Sequence, residues 1–114
     1  MQTIIEKAEV LIEAMPYIQA FRGETVVIKF GGSAMEKREC HDSILADTAF
    51  MESAGLCPVL VHGGGKAISR RMREQGLQPV FRNGLRVTDA DAIRVVAEVL
   101  NHEVNVEIVE TLVA

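Results

Sequence analysis

The hydrophobic pattern of this chain changes period several times, and each change predicts a boundary between structural elements. Apolar residues recur every three or four positions from about residue 3 to residue 21, which predicts an amphipathic helix. Pro16 lies inside that stretch and is expected to kink or restart the helix, which Gly23 ends. Two runs rich in β-branched residues, 25–30 and 57–62, predict buried parallel strands.

Helical patterns separate and follow the two strands. Residues from about 36 to 54 and from about 65 to 75 are predicted to be helices, because their apolar residues have helical spacing and each stretch is followed by a glycine. This order of elements predicts an α/β fold, a three-layer α/β/α sandwich with a mostly parallel sheet and a β-hairpin.

The last third of the chain begins with a turn signal. Asn83-Gly84 predicts a hairpin between two short extended pieces, 79–81 and 85–87, which we expect to join the small sheet. Thr88, followed three positions later by Asp91, predicts the N-cap of a long final helix. That helix keeps its apolar periodicity through Ile93, Val96, Ala97, Leu100, Val104, Ile108 and Leu112.

Each predicted strand leads directly into a glycine-rich loop. The first strand ends in Lys29 and Phe30 before Gly31-Gly32, and the second ends in His62 before three glycines, Gly63-Gly64-Gly65. Glycine lets backbone N–H groups approach an anion that a Cβ would hold off. The second loop also opens a predicted helix, whose N-terminus attracts anions. The pair of loops predicts a pocket for a transferring phosphoryl group, the alternative being a plain turn beside a solvated Lys29.

Two better-known nucleotide signatures do not fit these loops. Leu60 stands where a phosphate-binding G-x-x-x-x-G-K-[ST] loop needs its first glycine, and Ile68 takes the last glycine position of G-x-G-x-x-G.

Arg86, which leaves the hairpin, is a candidate for a bidentate bridge to a carboxylate. The alternative for Arg86 is a surface arginine paired with Asp89 or Asp91.

Composition excludes several classes of partner. The 114 residues carry a net charge of −4 with a pI near 5.3 and no basic stripe, which argues against nucleic acid. No apolar run reaches the length of about 18 residues needed for a membrane span. Cys40, Cys57 and the three histidines lack metal-ligand spacing, so we expect no metal site and a reducing, cytoplasmic location.

Three segments in order resemble the amino-acid kinase family. They are Val-Ile-Lys-Phe-Gly-Gly-Ser-Ala-Met at 27–35, Val-His-Gly-Gly-Gly-Lys at 61–66 and Asn-Gly-Leu-Arg-Val-Thr at 83–88. The third segment most resembles the branch of the family that acts on N-acetyl-L-glutamate. The resemblance implies transfer of the γ-phosphoryl group of ATP, with Mg²⁺, to the γ-carboxylate of N-acetyl-L-glutamate in arginine biosynthesis.

The same resemblance implies roles for single residues. Lys29 would contact the transferring phosphoryl group and is the catalytic candidate. The phosphoryl group would be bound by Gly31, Gly32, Gly64 and Gly65, and the amino-acid substrate by Gly64, Gly65 and Arg86, with Arg86 holding the α-carboxylate. Apart from the resemblance, His62 precedes the second loop and is expected to orient its backbone rather than to transfer protons, because a carboxylate that reacts as the nucleophile needs no base.

The resemblance also implies how the chain is organised. Residues 1–22 would be an N-terminal helix acting as an oligomerisation arm, as in arginine-inhibited relatives, with Tyr17 near the effector. Residues 23–114 would be part of the substrate-binding lobe, with a dimer contact on the apolar face of 93–112. The nucleotide-binding domain would lie beyond residue 114, so the isolated chain is expected to be inactive. A homodimer or hexamer and inhibition by arginine follow from this resemblance.

Three alternatives remain open from the sequence. The chain could be a regulatory or assembly module of the same fold without catalysis, or another amino-acid kinase with a different carboxylate substrate. The helix at 1–22 could be an ordinary helix that caps the sheet.

Overall fold

The computed structural model describes residues 3–114, apart from the side chain of Ser33, and has a parallel pair of strands at its centre. Strand β1 is Thr25–Phe30 and strand β2 is Cys57–His62. They pair in parallel from Thr25 opposite Cys57 to Phe30 opposite His62. Both strands therefore end at the same edge, and the two glycine loops leave the sheet side by side. Residues 1 and 2 of the predicted N-terminal arm lie outside the described residues.

Helices precede and follow the two strands, as the α/β prediction required, but they cover only one face of the pair. The strands were predicted to be buried, yet Val27, Val59 and Val61 on the other face are 66%, 46% and 50% exposed. In chain order the helices are α1 (Ile4–Phe21), α2 (Ser33–Glu36), α3 (Arg38–Ser53), α4 (Gly65–Glu74), α5 (Ala90–Val99), a π-helix (Leu100–Val104) and α6 (Asn105–Val113). The hairpin consists of β3 (Phe81–Arg82) and β4 (Leu85–Arg86). Within the described residues, none of these helices is both long enough and apolar enough to span a membrane.

The core lies between the strand ends and the helices that follow the loops. Its buried members come from β1, α3, α4, α5, the π-helix and α6: Phe30, Leu45, Ile68, Met72, Ala92, Val95, Val99, Val104 and Ile108. Phe30, directly before the first glycine loop, is 1% exposed. The loops are therefore attached to the best-packed part of the molecule.

Helix α1 takes no part in that core. It begins with a capping box, in which Thr3 and Glu6 bond each other's backbone N–H groups, and it has no buried residue. It continues as one helix through Pro16, so the predicted restart at that residue is wrong. Most large apolar side chains on α1 are more than half exposed, Ile18 being partly buried. The exposed ones are Ile4, Ile5, Val10, Leu11, Ile12, Met15, Tyr17 and Phe21.

The hairpin has the predicted turn but a different place in the fold. Asn83 and Gly84 have φ angles of 51° and 78°, as a two-residue type I′ turn requires. The strands are shorter than predicted, although the N–H of Val87 still bonds the carbonyl of Val80 at 2.8 Å. In the described chain the hairpin forms its own two-stranded sheet and does not extend the β1–β2 pair.

The helix boundaries correct two further predictions. The helix predicted at 36–54 is two helices, α2 and α3, separated at Lys37. The N-cap of α5 is Asp89 rather than Thr88, because the Asp89 carboxylate accepts the N–H of Ala92 at 2.8 Å. The Thr88 hydroxyl instead donates to the carbonyl of Arg86.

The long final helix is interrupted by the π-helix, which shifts the register of its buried face. Burial follows Ala92, Val95 and Val99 at helical spacing and then steps five residues to Val104 and four to Ile108. The extra residue in the π-helix absorbs this step. Consequently Ile93, part of the apolar periodicity read from the sequence, is 51% exposed.

Candidate phosphoryl-binding site

The two glycine loops touch each other at the end of the sheet. The N–H of Gly63 donates to the carbonyl of Phe30 at 2.9 Å, which continues the pairing of the strands into the loops. A Cβ added to Gly31 would lie 3.9 Å from the Gly63 nitrogen. The backbones of the two loops therefore pack against each other, and their remaining groups face one common space.

That space is a cavity of about 750 Å³. All the site residues predicted from the sequence line it: Lys29, Gly31, Gly32, Gly64, Gly65 and Arg86. These residues come from β1, both loops, the start of α4 and the hairpin, so the fold brings together positions up to 57 residues apart. Their chemical roles stay predictions, since a shared cavity does not assign roles.

Several loop amides are free to bind a ligand. Among the described residues, the N–H groups of Gly32, Gly64 and Gly65 have no acceptor. Gly65 begins α4, so its N–H and the helix dipole point out of the same end of the helix. Gly32 has a φ of +57°, a conformation that side-chain-bearing residues rarely adopt. These amides belong to residues that line the cavity, and backbone donors of glycine loops are suited to an anion.

Gly64 is required by the helix behind it rather than by its own backbone angles. A Cβ at Gly64 would lie 2.8 Å from Cδ2 of Leu100 and 3.3 Å from Cγ2 of Val104. Both contacts belong to the π-helix. This segment therefore packs directly on the second loop, whereas a Cβ at Gly65 would meet nothing within 4 Å.

Lys29 lies at the rim of the cavity, opposite Val61 in the strand pairing. Its side chain is exposed and forms no ion pair with the described residues. A lysine so placed can neutralise the charge of an anion held by the loop amides.

Arg86 is held firmly against the start of α4. One amino group, Nη2, donates to the carbonyl oxygen of Gly65 at 3.0 Å and to Oγ of Ser69 at 2.8 Å. The guanidinium carbon lies 4.7 Å from the centre of the Phe81 ring, and Nη1 lies 3.2 Å from Sδ of Met72. No ion pair joins Arg86 to Asp89 or Asp91 in the described chain, so the alternative of a surface pairing is wrong.

Arg86 already uses some of its hydrogen-bond donors within the fold, which limits how it can bind a carboxylate. An amino group of arginine has two hydrogens, and Gly65 and Ser69 accept both hydrogens of Nη2. A two-pronged bond that uses Nη2 therefore requires release of one of these partners. Burial lowers the pKa of the Arg86 guanidinium, and the charge of Arg73 lowers it further. Arginine nevertheless stays protonated at neutral pH.

Comparison with known proteins places this site in a family. The model of the amino acid kinase family matches residues 24–114. The chain belongs to the amino acid kinase family. This match covers both glycine loops and Arg86.

Within this family, several curated relatives that match the chain are acetylglutamate kinases. The chain of this amino acid kinase is 47% identical over 112 residues to an acetylglutamate kinase of Campylobacter jejuni subsp. jejuni serotype O:2. It is 46% identical over 112 residues to one from Sulfurihydrogenibium sp. (strain YO3AOP1) and 45% over 107 residues to one from Synechococcus elongatus. These alignments cover 94–98% of the chain but only 36–40% of each relative. The chain thus spans about two fifths of the length of these kinases.

Solved structures share the fold. The N-acetylglutamate synthase of Neisseria gonorrhoeae, complexed with coenzyme A and N-acetyl-glutamate, matches 99% of the chain and 26% of its own length, with a TM-score of 0.75 and 26% identity. The protein smu.665 of Streptococcus mutans UA159 matches 77% of the chain and 35% of its own length, with a TM-score of 0.67 and 35% identity. The α/β fold predicted from the sequence is confirmed.

Sequence reasoning did not identify every residue around the cavity. Ser69 and Phe81, which hold Arg86, carry no recognisable motif. Asn105, which contacts the lining residue His62 without lining the cavity itself, gives no local signal. An ion pair between Lys66 Nζ and Glu36 Oε2, at 2.6 Å, joins the helices that follow the two loops. Helical spacing could have placed Ser69 one turn after Gly65, but its contact with a hairpin residue depends on tertiary structure. No cluster of three metal-ligating side chains occurs among the described residues.

Proposed function

We propose that this chain is the amino-acid-binding lobe of an acetylglutamate kinase, which transfers the γ-phosphoryl group of ATP to the γ-carboxylate of N-acetyl-L-glutamate. One observation carries the proposal. Lys29, the free amides of both glycine loops and Arg86 line a single cavity in a chain that is 45–47% identical to acetylglutamate kinases.

The cavity supplies what phosphoryl transfer needs from a protein. Such reactions depend on positioning and on stabilising negative charge rather than on covalent chemistry by the enzyme. Lys29 neutralises charge on the transferring group, while amides of Gly31, Gly32, Gly64 and Gly65 donate to its oxygens. These donors are fixed by the sheet and by α4, so no reorganisation is needed during the reaction.

Arg86 holds the α-carboxylate of the acetylated amino acid, and Gly64 and Gly65 contact the same substrate. Because Nη2 is shared between Gly65 and Ser69, substrate binding replaces one of these contacts or uses Nε and Nη1 instead. Binding the substrate is therefore linked to the glycine loop itself.

The rest of the activity belongs to a longer protein. We propose that a nucleotide-binding domain follows residue 114 and binds most of ATP and its Mg²⁺. Residues 1–22 form an arm that pairs with a second copy of itself, which fits the exposed apolar side chains of α1. Arginine as inhibitor and a homodimer or hexamer, with a dimer contact on the apolar face of residues 93–112, complete this proposal.

A second candidate comes from the structural match to an N-acetylglutamate synthase, whose chain contains the same fold. The identity of 26% to that synthase, against 47% to a kinase, favours the kinase. Acetyl transfer from acetyl-coenzyme A to glutamate, measured on the complete protein, distinguishes the two.

Two substitutions in the complete protein test the proposal. Lys29→Ala should lower kcat on the order of 10²- to 10³-fold with a small change in KM for acetylglutamate, because its partner is charge in the transition state. Arg86→Lys should mainly raise KM for acetylglutamate and leave KM for ATP unchanged. The expected loss is about 1–3 kcal/mol, the scale of hydrogen bonds to charged groups.

Lys37→Ala is the matched control for Lys29, since Lys37 is exposed, lies between α2 and α3 and does not line the cavity. A complete wild-type protein without acetylglutamate-dependent ATP turnover would favour the non-catalytic module. Turnover with a different carboxylate would favour another amino-acid kinase. Near-normal kcat in Lys29→Ala would mean that Lys29 is a solvated residue at a strand end.

A further inference from the structure

A side-chain pair joins the second glycine loop to the final helix of the chain. Nδ1 of His62 lies 3.0 Å from the carbonyl oxygen of Gly63, and Nε2 of His62 lies 3.3 Å from Nδ2 of Asn105. His62 is the last residue of β2 and Asn105 is the first of α6. The ring therefore spans the gap between the loop and the helix.

These two partners fix the proton on the His62 ring. A carbonyl oxygen can only accept, so Nδ1 must carry a hydrogen and donate it to Gly63. As the Asn105 amide is oriented, its Nδ2 faces Nε2 and can only donate, so Nε2 is the acceptor of this pair. The arrangement thus matches a ring that donates from Nδ1 and accepts at Nε2.

The π-helix holds Asn105 in place. Glu103, inside the π-helix, bonds Arg70 and Arg71 of α4, with Arg71 Nη2 at 2.9 Å from its Oε2. Leu100 and Val104 of the same segment occupy the space beside Gly64. The segment is therefore fixed to α4 and to the loop, and Asn105 follows it directly.

We infer that His62 and Asn105 are positioning residues for the second glycine loop, acting through the Nδ1–H tautomer of His62. The Gly63 carbonyl is held by the ring, which sets the orientation of the next peptide and its Gly64 N–H. The catalytic part of this inference rests on the proposed kinase function, whereas the tautomer and the loop orientation do not.

If Asn105 served only to stabilise the fold, its substitution would lower the stability of the chain. Asn105 is exposed and its bond to His62 is long, so this bond is expected to contribute little to folding stability. Loss of this bond should therefore alter the loop without unfolding the chain.

The first experiment is nuclear magnetic resonance on this 114-residue chain with ¹⁵N labelling. Long-range ¹H–¹⁵N correlations at neutral pH should show His62 protonated on Nδ1 alone. In Asn105→Leu, which keeps the shape of the side chain but has no donor, the ring nitrogens and the amide signals of Gly63, Gly64 and Gly65 should shift. In Asn105→Asp, which offers only acceptors, Nε2 should gain a hydrogen.

Asn101→Leu is the matched control, because Asn101 lies one turn earlier and donates only to the carbonyl of Ala97 among the described residues. It should leave the His62 and glycine signals unchanged. The inference is overturned if wild-type His62 carries its hydrogen on Nε2, or if Asn105→Leu leaves the three glycine amides where they are. The wild-type measurement stands even if a variant does not fold.

The second experiment uses the complete protein. Asn105→Leu should reduce kcat for acetylglutamate phosphorylation on the order of 10-fold, with a melting temperature close to that of Asn101→Leu, since small displacements of positioning groups cost rate. Equal kcat in the two variants would remove the catalytic role. A wild-type protein without kinase activity would contradict the proposed function but leave the tautomer result valid.

Discussion

At the scale of single residues, Gly64 and Gly65 of the second glycine loop differ in whether the folded chain has room for a side chain. A Cβ at Gly64 would lie 2.8 Å from Cδ2 of Leu100 and 3.3 Å from Cγ2 of Val104, so a side chain there requires these two side chains to move. Gly65 has open space and an ordinary helical position, so the folded chain alone does not require a glycine there. If both residues bind substrate, only at Gly65 is the absence of a side chain explained by ligand binding alone.

We therefore expect opposite effects of two alanine substitutions on the stability of this chain. Gly64→Ala should destabilise it by about 1–2 kcal/mol, because the new methyl group forces Leu100 and Val104 apart. Gly65→Ala should leave stability unchanged or raise it by about 0.5 kcal/mol, because alanine restricts the unfolded chain.

Urea denaturation of the two variants beside the wild type measures the difference. Equal destabilisation by both would show that the loop needs glycine for its backbone conformation rather than for the contact with the π-helix.

At the scale of elements, the start of α5 shows how an end of a helix is chosen by a side chain. The sequence offers two neighbouring capping candidates, Thr88 and Asp89. Only the Asp89 carboxylate reaches the N–H of a residue in the first turn, Ala92, at 2.8 Å. A negative charge at this end also interacts favourably with the helix dipole.

Asp89→Ala should accordingly lower the free energy of unfolding by about 1 kcal/mol, the usual cost of losing an N-cap. Thr88→Ala is the control and should cost clearly less, because the Thr88 hydroxyl bonds only the carbonyl of Arg86, at 3.4 Å, among the described residues. Thermal or urea denaturation of the two variants compares them. A larger loss in Thr88→Ala would restore the cap predicted from the sequence.

Helix α1 packs little against the rest of the described chain and has no buried residue. Leu11 and Ile12 are 66% and 68% exposed, although a stripe of such residues normally packs against another surface. Removing residues 1–22 should therefore leave the stability of the remainder nearly unchanged. In the complete protein we expect the deletion to convert hexamers into dimers and to weaken inhibition by arginine.

Light scattering and an activity assay with arginine, each with and without residues 1–22, test this prediction. The double substitution Leu11→Gln with Ile12→Gln is a milder version that keeps the helix. An unchanged mass and arginine response, together with lost stability, would indicate that α1 packs on its own domain.

At the scale of the whole molecule, the chain is elongated. Its radius of gyration is 18.5 Å and its longest extent 58 Å, compared with a radius of about 13 Å for a compact domain of about 100 residues. The cavity opens at the end of a sheet of only two strands. Such a site fits the proposed function, in which this chain binds one end of an in-line reaction.

The isolated 114-residue chain should consequently show no acetylglutamate-dependent hydrolysis or transfer from ATP. The physical reason is that, in the proposed function, Lys29 and the loop amides contact only the transferring group, and the nucleotide is bound by a further domain. A coupled assay for ADP formation measures this, with the complete protein as the positive control. Turnover by the pure chain would contradict the proposal that a further domain binds the nucleotide.

The sequence by itself determined the elements whose causes are local. Strands β1 and β2 follow from runs of β-branched residues, and the hairpin turn from Asn83-Gly84, since these depend on the conformational preferences of the residues themselves. The same applies to the glycine loops, and their order along the chain was enough to indicate the family.

Only the tertiary structure decided the features that depend on distant partners. The π-helix cannot be read from a pattern of apolar residues, because the extra residue is accommodated by packing against Gly64 and by the bonds of Glu103 to α4. Ser69 meets Arg86, and Asn105 meets His62, across 17 and 43 residues of sequence. Local propensity carries no information about such contacts, since they form only when the sheet, α4 and the final helix pack together.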